Sequence, residues 1–425
     1  MEINEKVIQY LWKYRLLNPE LITESGEPLI VLHPGEQNSD GGPDFFNARI
    51  RLGNTIWAGN VEIHVKASDW FRHNHQSDRA YDNTVLHVVY DADSNVAMLD
   101  GQLLPTLKVK GRFNPSFLNR YHQIMEAKEW IPCASHIRDL EGAGFNFWAA
   151  GLAIERLEQK SFTIKRLFQA SRGDWLETYY IYLAICFGFK INALPFELLA
   201  TSLPLKHLLS GCENLFRLEA LLFGQAGMLT KHFTDNYPVK LSDEYEFLKA
   251  KYRITPISEG IWKFLRLRPA NFPTIRISQF SRFIHSTRGD FFCLLENRPI
   301  TELQDLFRIT ASAYWNNHFV FDKISPAQES KIIGPLSINL LIINAVVLFK
   351  FFYGLEMNIP SMRESALEML EQLKSENNSE MDRWRSVGLT PQNALHSQAL
   401  KHLKSAYCEK RRCLECRIGE KILRK

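Results

Sequence analysis

Apolar positions near the start of the chain change period twice. Ile3, Val7, Tyr10, Leu11 and Tyr14 recur at helical spacing and Asn18-Pro19 supplies a stop, so Ile3 to Leu17 is expected to form an amphipathic helix. Leu29 to Leu32 is a short apolar strand candidate, followed by a polar, glycine-rich loop from His33 to Gly42. Phe46 to Leu52 then alternates apolar and polar residues. Gly53-Asn54 turns the chain back into Thr55 to Lys66, so these two runs should pair as a hairpin. Ser68 is placed to cap a short helix through Asp69, Trp70 and Phe71. Thr84 to Tyr90 is a further strand, and Gly101 to Lys110 adds one whose Pro105 favours a sheet edge.

Beyond about Tyr121 the period of two disappears. Trp175, Tyr179, Tyr182, Leu183 and Cys186 mark one helical stripe, with similar spacing in Leu215 to Leu222 and Leu336 to Phe351. The pattern predicts an α+β protein: an α/β domain over residues 1–120 (helix, three strands, helix, strand) and a mainly helical domain over residues 121–425. The longest apolar run, Leu336 to Phe352, is interrupted by Ser337, Asn339, Asn344 and Lys350, which points to a buried helix and no membrane span.

Composition adds little to this picture. At 425 residues the chain can bury more than one core, and 45% hydrophobic with 12% aromatic residues excludes a disordered chain. The net charge of +4 is modest, but residues 401–425 carry nine Lys/Arg against three Glu, a local basic patch. The first residues lack the apolar run of a secretory signal, and seven cysteines are few for a disulfide scaffold, so a cytoplasmic location is expected.

Candidate chemistry concentrates between Gly41 and Lys66. On an extended strand Glu62, His64 and Lys66 share one face while Val61, Ile63 and Val65 occupy the other. Asp44, after Gly41-Gly42-Pro43, supplies a second carboxylate. Asp44 and Glu62 offer hard oxygen ligands for Mg²⁺ or Mn²⁺; His64 is placed to act as base, and Lys66 to stabilise charge at the transition state. Glu5 and Glu36 are conceivable further ligands. An acidic residue after a turn, then a carboxylate and a basic group on the next strand, resembles the PD-(D/E)XK phosphodiesterases. The element order agrees with their core, and His64 stands where their lysine is usual. The resemblance covers about the first 100 residues and implies metal-dependent cleavage of DNA or RNA.

Two other constellations compete for metal. His64, His73, His75 and His87, with Asp78 or Glu62, would suit Zn²⁺. Within a helix, His73 and His75 would point about 200° apart, so both can bind one ion only from a loop or strand; His87 reads as a hydrogen-bonded core residue. At the other end, Cys408, Cys413 and Cys416 have the spacing of a thiolate site for Zn²⁺ or a [4Fe–4S] cluster. Cys133 is the fourth ligand, which would tie the tail to the start of the helical domain, while Cys186, Cys212 and Cys293 are core fillers. The cysteine set is similar in kind to the iron–sulfur staple of helicase-associated nucleases, with a different order along the chain. Arg266, Arg268 and Arg276 among Trp262, Phe264 and Phe272, together with Lys410, Arg411 and Arg412, are candidate contacts to phosphates and bases.

End to end, through Gly41-Gly42-Pro43-Asp44-Phe45, Val61-Glu62-Ile63-His64, the segment from Arg266 to Pro273 and the terminal cysteines, the chain resembles an uncharacterised bacterial family found largely in Bacteroidetes, a domain of unknown function. That resemblance implies no activity. Metal-dependent nuclease activity is therefore the leading expectation. The alternative is a non-catalytic scaffold for nucleic acid or protein that retains a structural metal.

Overall fold

The computed structural model describes residues 3–98, 101–137, 143–265, 267–326 and 328–424. The chain divides into two compact units, residues 1–141 with 404–425, and residues 142–403. The sequence division at residue 120 assigned residues 121–141 and the tail to the helical part, whereas here they belong to the first unit. Side-chain contacts of Arg411 and Arg120, given below, are what hold the tail there.

The first unit is built on a seven-stranded mixed sheet. Helix α1 (Glu5–Lys13) starts where the Asn4 side chain accepts from the amide of Val7, and it carries an acidic residue in its first turn and a basic one in its last. Its buried residues include Val7, Ile8, Leu11 and Trp12. Strands β1 (Leu21–Ile22), β2 (Pro28–His33), β3 (Glu36–Gln37), β4 (Phe45–Leu52) and β5 (Thr55–Lys66) follow. In the sheet β1, β2, β4 and β5 are successive antiparallel neighbours, and β3 pairs with β4. The expected hairpin is β4–β5, in register from Leu52 opposite Thr55 and turned at Gly53, whose φ of +54° suits glycine. Alternation does the rest: Phe45, Ala48, Ile50, Val61 and Ile63 enter one apolar cluster with Ile8 and Trp12 of α1.

After β5 the direction changes. Strands β6 (Thr84–Asp91) and β7 (Thr106–Lys108) are added in parallel, with β7 at the sheet edge. A parallel neighbour requires a crossover, and here it comprises the short helix α2 (Asp69–Arg72) and two 3₁₀ turns, His75–Ser77 and Arg79–Tyr81. Trp70 and Tyr81 of the crossover pack with Ala67, Val89, Val96 and Leu104 in a second apolar cluster. The segment bearing His73 and His75 is thereby laid beside the end of β5. Helix α3 (Pro115–Glu126) and the tail complete the unit: Arg411 donates to the carbonyls of Ile124 (3.1 Å) and Ala127 (2.7 Å), and Arg120 to that of Leu423 (3.1 Å).

Among its described residues, the regular structure of the second unit is helical apart from one small hairpin, His318–Val320 with Lys323–Ile324. The expected α+β class therefore holds as a mixed sheet followed by helices. Among the described residues Pro335–Glu356 is the one helix long and apolar enough to cross a membrane, and 72% of its most apolar window is buried. Lys350 within it is buried too, donating to Asn297 Oδ1 at 3.0 Å.

Candidate metal centre

Asp44 is placed by the loop that precedes β4. Gly42 takes a φ of +102°, and the Asn38 side chain spans the loop, donating to the carbonyls of Asp40, Gly41 and Pro43 while its backbone amide donates to the carbonyl of Asp44. The resulting turn sets Asp44 against β5. Its amide donates to Glu62 Oε2 at 3.1 Å, and the amide of Ile63 donates to Asp44 Oδ2 at 3.0 Å. From α1, Gln9 Nε2 binds Asp44 Oδ1 at 2.8 Å. Glu5 lies one turn earlier on the same helix and acts electrostatically on both carboxylates.

The pair is short of positive charge. Burial raises Asp44 to about 6, against the opposing bonds from Gln9 and Ile63. Glu62 goes up to about 9, first through burial and then through the Asp44 charge. Such a pair is satisfied by a cation or by protons.

On its other side Glu62 faces imidazoles. His64 Nε2 and His75 Nε2 lie 3.4 and 3.3 Å from Glu62 Oε1, and His73 Nδ1 lies 3.2 Å from His64 Nε2. His64 Nδ1 faces His87 Nε2 at 2.8 Å. His73 and His75 converge because α2 ends at Arg72 and Asn74 adopts a left-handed conformation (φ +60°), so the two imidazoles are not separated by a helical turn. His75 stacks on Tyr81 at 3.9 Å, and the Trp70 ring approaches both His75 and His87. Burial lowers His64 to about 2 and His87 to about 3, so both rings stay neutral. His73 is exposed and opens the cluster to solvent.

Not every expected residue comes here. Lys66 is exposed and its charge acts on Asp93. Glu36 is exposed in β3. His87 is the core residue it was expected to be. Gln9, Trp70, Arg72 and Tyr81 were not anticipated; Gln9 alone had a readable signal, its spacing of four from Glu5 on α1.

A second constellation lies in the same unit. Cys133, Cys408, Cys413 and Cys416 are all buried, and the other three all act electrostatically on Cys408, as Cys413 and Cys416 do on Cys133. Burial pushes Cys133 and Cys416 up to about 12 and Cys413 up to about 11. The amides of Gly419 and Ile418 donate to the Cys416 sulfur. Arg411, bound to the carbonyls of Ile124 and Ala127, and Lys404, 5.4 Å from the centre of the Trp130 ring, bring the tail to Cys133. The quartet thus lies within the first unit, where the sequence reading had it join the tail to the helical domain. Cys186 is buried, whereas Cys212 and Cys293 are only partly so.

The basic-aromatic segment folds inward. Arg276 is 4% exposed; it donates to Gln279 and Asn271 and stacks on Phe189 at 4.5 Å. Trp262 is buried, its indole donating to the carbonyl of Ala226. These two are therefore structural, contrary to their expected contact with phosphates and bases. Arg411 and Arg412 are likewise occupied, the latter by Glu415, while Lys410 is exposed. Arg266 lies outside the described residues.

One protein-family model, described as Protein of unknown function (DUF2851), matches residues 5–379. Neither the curated proteins nor the solved structures gave a match. The family match spans the Asp44–Glu62 centre and stops before the three C-terminal cysteines.

Proposed function

The chain belongs to the family of proteins of unknown function (DUF2851), and we propose from its site that it hydrolyses phosphodiester bonds of DNA or RNA with a divalent metal ion. The observation that carries the reading is the placement of Asp44 and Glu62: a half-buried carboxylate just before β4 and a buried one on β5, linked through the Asp44 amide, with a deficit of positive charge between them. Support comes from the arrangement around them. A helix, three antiparallel strands (β2, β4, β5), a helical crossover and a strand parallel to β5 follow the order of the PD-(D/E)XK core.

In this reading Asp44 and Glu62 hold Mg²⁺ or Mn²⁺, which when bound would polarise a phosphoryl oxygen and acidify a water ligand. Gln9 fixes the orientation of Asp44, and Glu5 adds charge from α1. His64 is a better ligand than base, because both its ring nitrogens already face partners and burial disfavours its protonated form. Arg72, 70% exposed at its side chain, paired with Asp69 at 3.1 Å and acting on Glu5 and His64, is the group we assign to the substrate phosphate, which would compete with Asp69 for it. The cysteine quartet would hold Zn²⁺ or a [4Fe–4S] cluster with a structural role.

One observation favours the other reading, a non-catalytic scaffold for nucleic acid or protein: His64 stands where a lysine is usual, and Lys66, exposed and acting on Asp93, does not replace it. Incubation with single- and double-stranded DNA and RNA plus Mg²⁺ or Mn²⁺ separates the two. Cleavage that Glu62→Ala abolishes supports the hydrolase; binding without cleavage supports the scaffold.

A further inference from the structure

We propose that Glu62, His64, His73 and His75 form a tetrahedral zinc site, distinct from the Asp44 side of Glu62 and sharing that carboxylate with it. The distances carry the inference. Zinc binds imidazole nitrogen and carboxylate oxygen at about 2.0–2.1 Å, so ligand atoms at the corners of its tetrahedron lie about 3.3–3.4 Å apart. Glu62 Oε1 stands 3.4 Å from His64 Nε2 and 3.3 Å from His75 Nε2, and His64 Nε2 stands 3.2 Å from His73 Nδ1. The three imidazole nitrogens all lie within 4.8 Å of one another. Three imidazoles are thus gathered within reach of one ion, and Glu62 stands at zinc-ligand spacing from two of them, His64 and His75.

Hydrogen bonding alone accounts poorly for this convergence. His64 Nε2 faces both a nitrogen and a carboxylate oxygen, yet a neutral ring has one N–H in all, and His64 Nδ1 already faces His87 at 2.8 Å. If that N–H is given to His87, Nε2 presents a lone pair to the cluster, the tautomer a metal ligand needs. The remaining rings are fixed as ligands usually are: His75 is stacked on Tyr81, and the left-handed Asn74 sets His73 beside it. Three imidazoles and one carboxylate suit zinc far better than magnesium, which prefers oxygen and water. Exposure of His73 gives an ion a way in.

The two oxygens of Glu62 point to different partners, Oε2 to the Asp44 amide and Oε1 to the imidazoles. Glu62 is therefore placed as a bridge between an oxygen-lined and a nitrogen-lined subsite. The zinc site does not depend on the phosphodiester reading and is tested without any substrate.

The probe is Co²⁺, added to metal-stripped full-length protein and followed by absorption. Tetrahedral nitrogen and oxygen ligation gives strong visible d–d bands, whereas thiolate ligation by the cysteine quartet would add sulfur-to-cobalt charge transfer in the near ultraviolet. With the cysteine quartet disabled by Cys408→Ser/Cys416→Ser, we expect visible bands without that charge transfer, displaced by one equivalent of Zn²⁺. In the double variant His73→Ala/His75→Ala, altered only in the turn, Co²⁺ affinity should fall at least about tenfold with unchanged circular dichroism. Three results would overturn the site: no tetrahedral bands, bands always accompanied by charge transfer, or a double variant that binds within about twofold of the wild type.

Discussion

His87 sits directly across from Glu62 in the parallel β5–β6 ladder, and its Nε2 lies 2.8 Å from His64 Nδ1 with its ring sealed from solvent. Its own Nδ1 has no partner among the described residues. His87 therefore acts as a positioning residue that holds the ring of His64. In His87→Leu the His64 Nδ1 group loses that partner, a loss of about 1–3 kcal/mol. Zinc affinity should drop about 10- to 100-fold by calorimetry. Unchanged affinity would place His64 outside the metal site.

Glu62→Gln keeps an acceptor for the Asp44 amide and removes the charge that burial opposes. The metal-free variant should melt at or above the wild-type temperature. The metal-induced rise should vanish; for a ligand at one hundred times its Kd, that rise corresponds to about 2.7 kcal/mol. Thermal melts with and without Zn²⁺ or Mn²⁺ are the check, and a rise equal to that of the wild type would contradict the assignment.

Cys416→Ser removes a buried sulfur that receives two backbone amides and faces other cysteines, whereas Cys212→Ser alters a half-buried thiol elsewhere. Only the first should lower the melting temperature and the bound zinc or iron. The absorption spectrum of freshly purified protein then separates the two occupants, because an iron–sulfur cluster is brown and zinc is colourless. Equal behaviour of the two variants would reduce the quartet to free thiols.

What could be read from the sequence was local. The α1 periodicity, the alternation in β4 and the Gly53-Asn54 turn each depend on residues a few positions apart, and with them came the neighbourhood of Asp44 and Glu62. The misplacements concern contacts made across long separations. Arg276 looks solvated until Phe189, far back in the chain, is found beneath its guanidinium. The tail was not assignable to the first unit, because its anchors are main-chain carbonyls of Ile124 and Ala127, to which the identity of those residues gives no clue. His73 and His75 turned on a single backbone angle at Asn74, a residue type that tolerates the left-handed region without demanding it.

In the second unit Lys160 donates to Asn344 at 2.5 Å and is lowered by burial from 10.5 to about 8. A depressed lysine value means that the unfolded chain binds the proton more tightly than the folded one. The resulting destabilisation is full below about pH 8 and fades as pH rises towards 10.5. Relative to Lys160→Met, which cannot titrate, the wild type should gain stability across that interval, by up to roughly 3 kcal/mol. Paired melts at pH 7.5 to 10.5 (roughly spanning the window) test it; a gap between the two proteins that ignores pH would refute it.

The claim on which the account rests is that Asp44 and Glu62 grip a divalent ion between them. Crystals equilibrated with Mn²⁺ and recorded at the manganese absorption edge test this directly. An anomalous peak in contact with carboxylate oxygens of both residues is the expected result. Absence of any peak there at saturating Mn²⁺, with Glu62 still bound to the Asp44 amide, would contradict it.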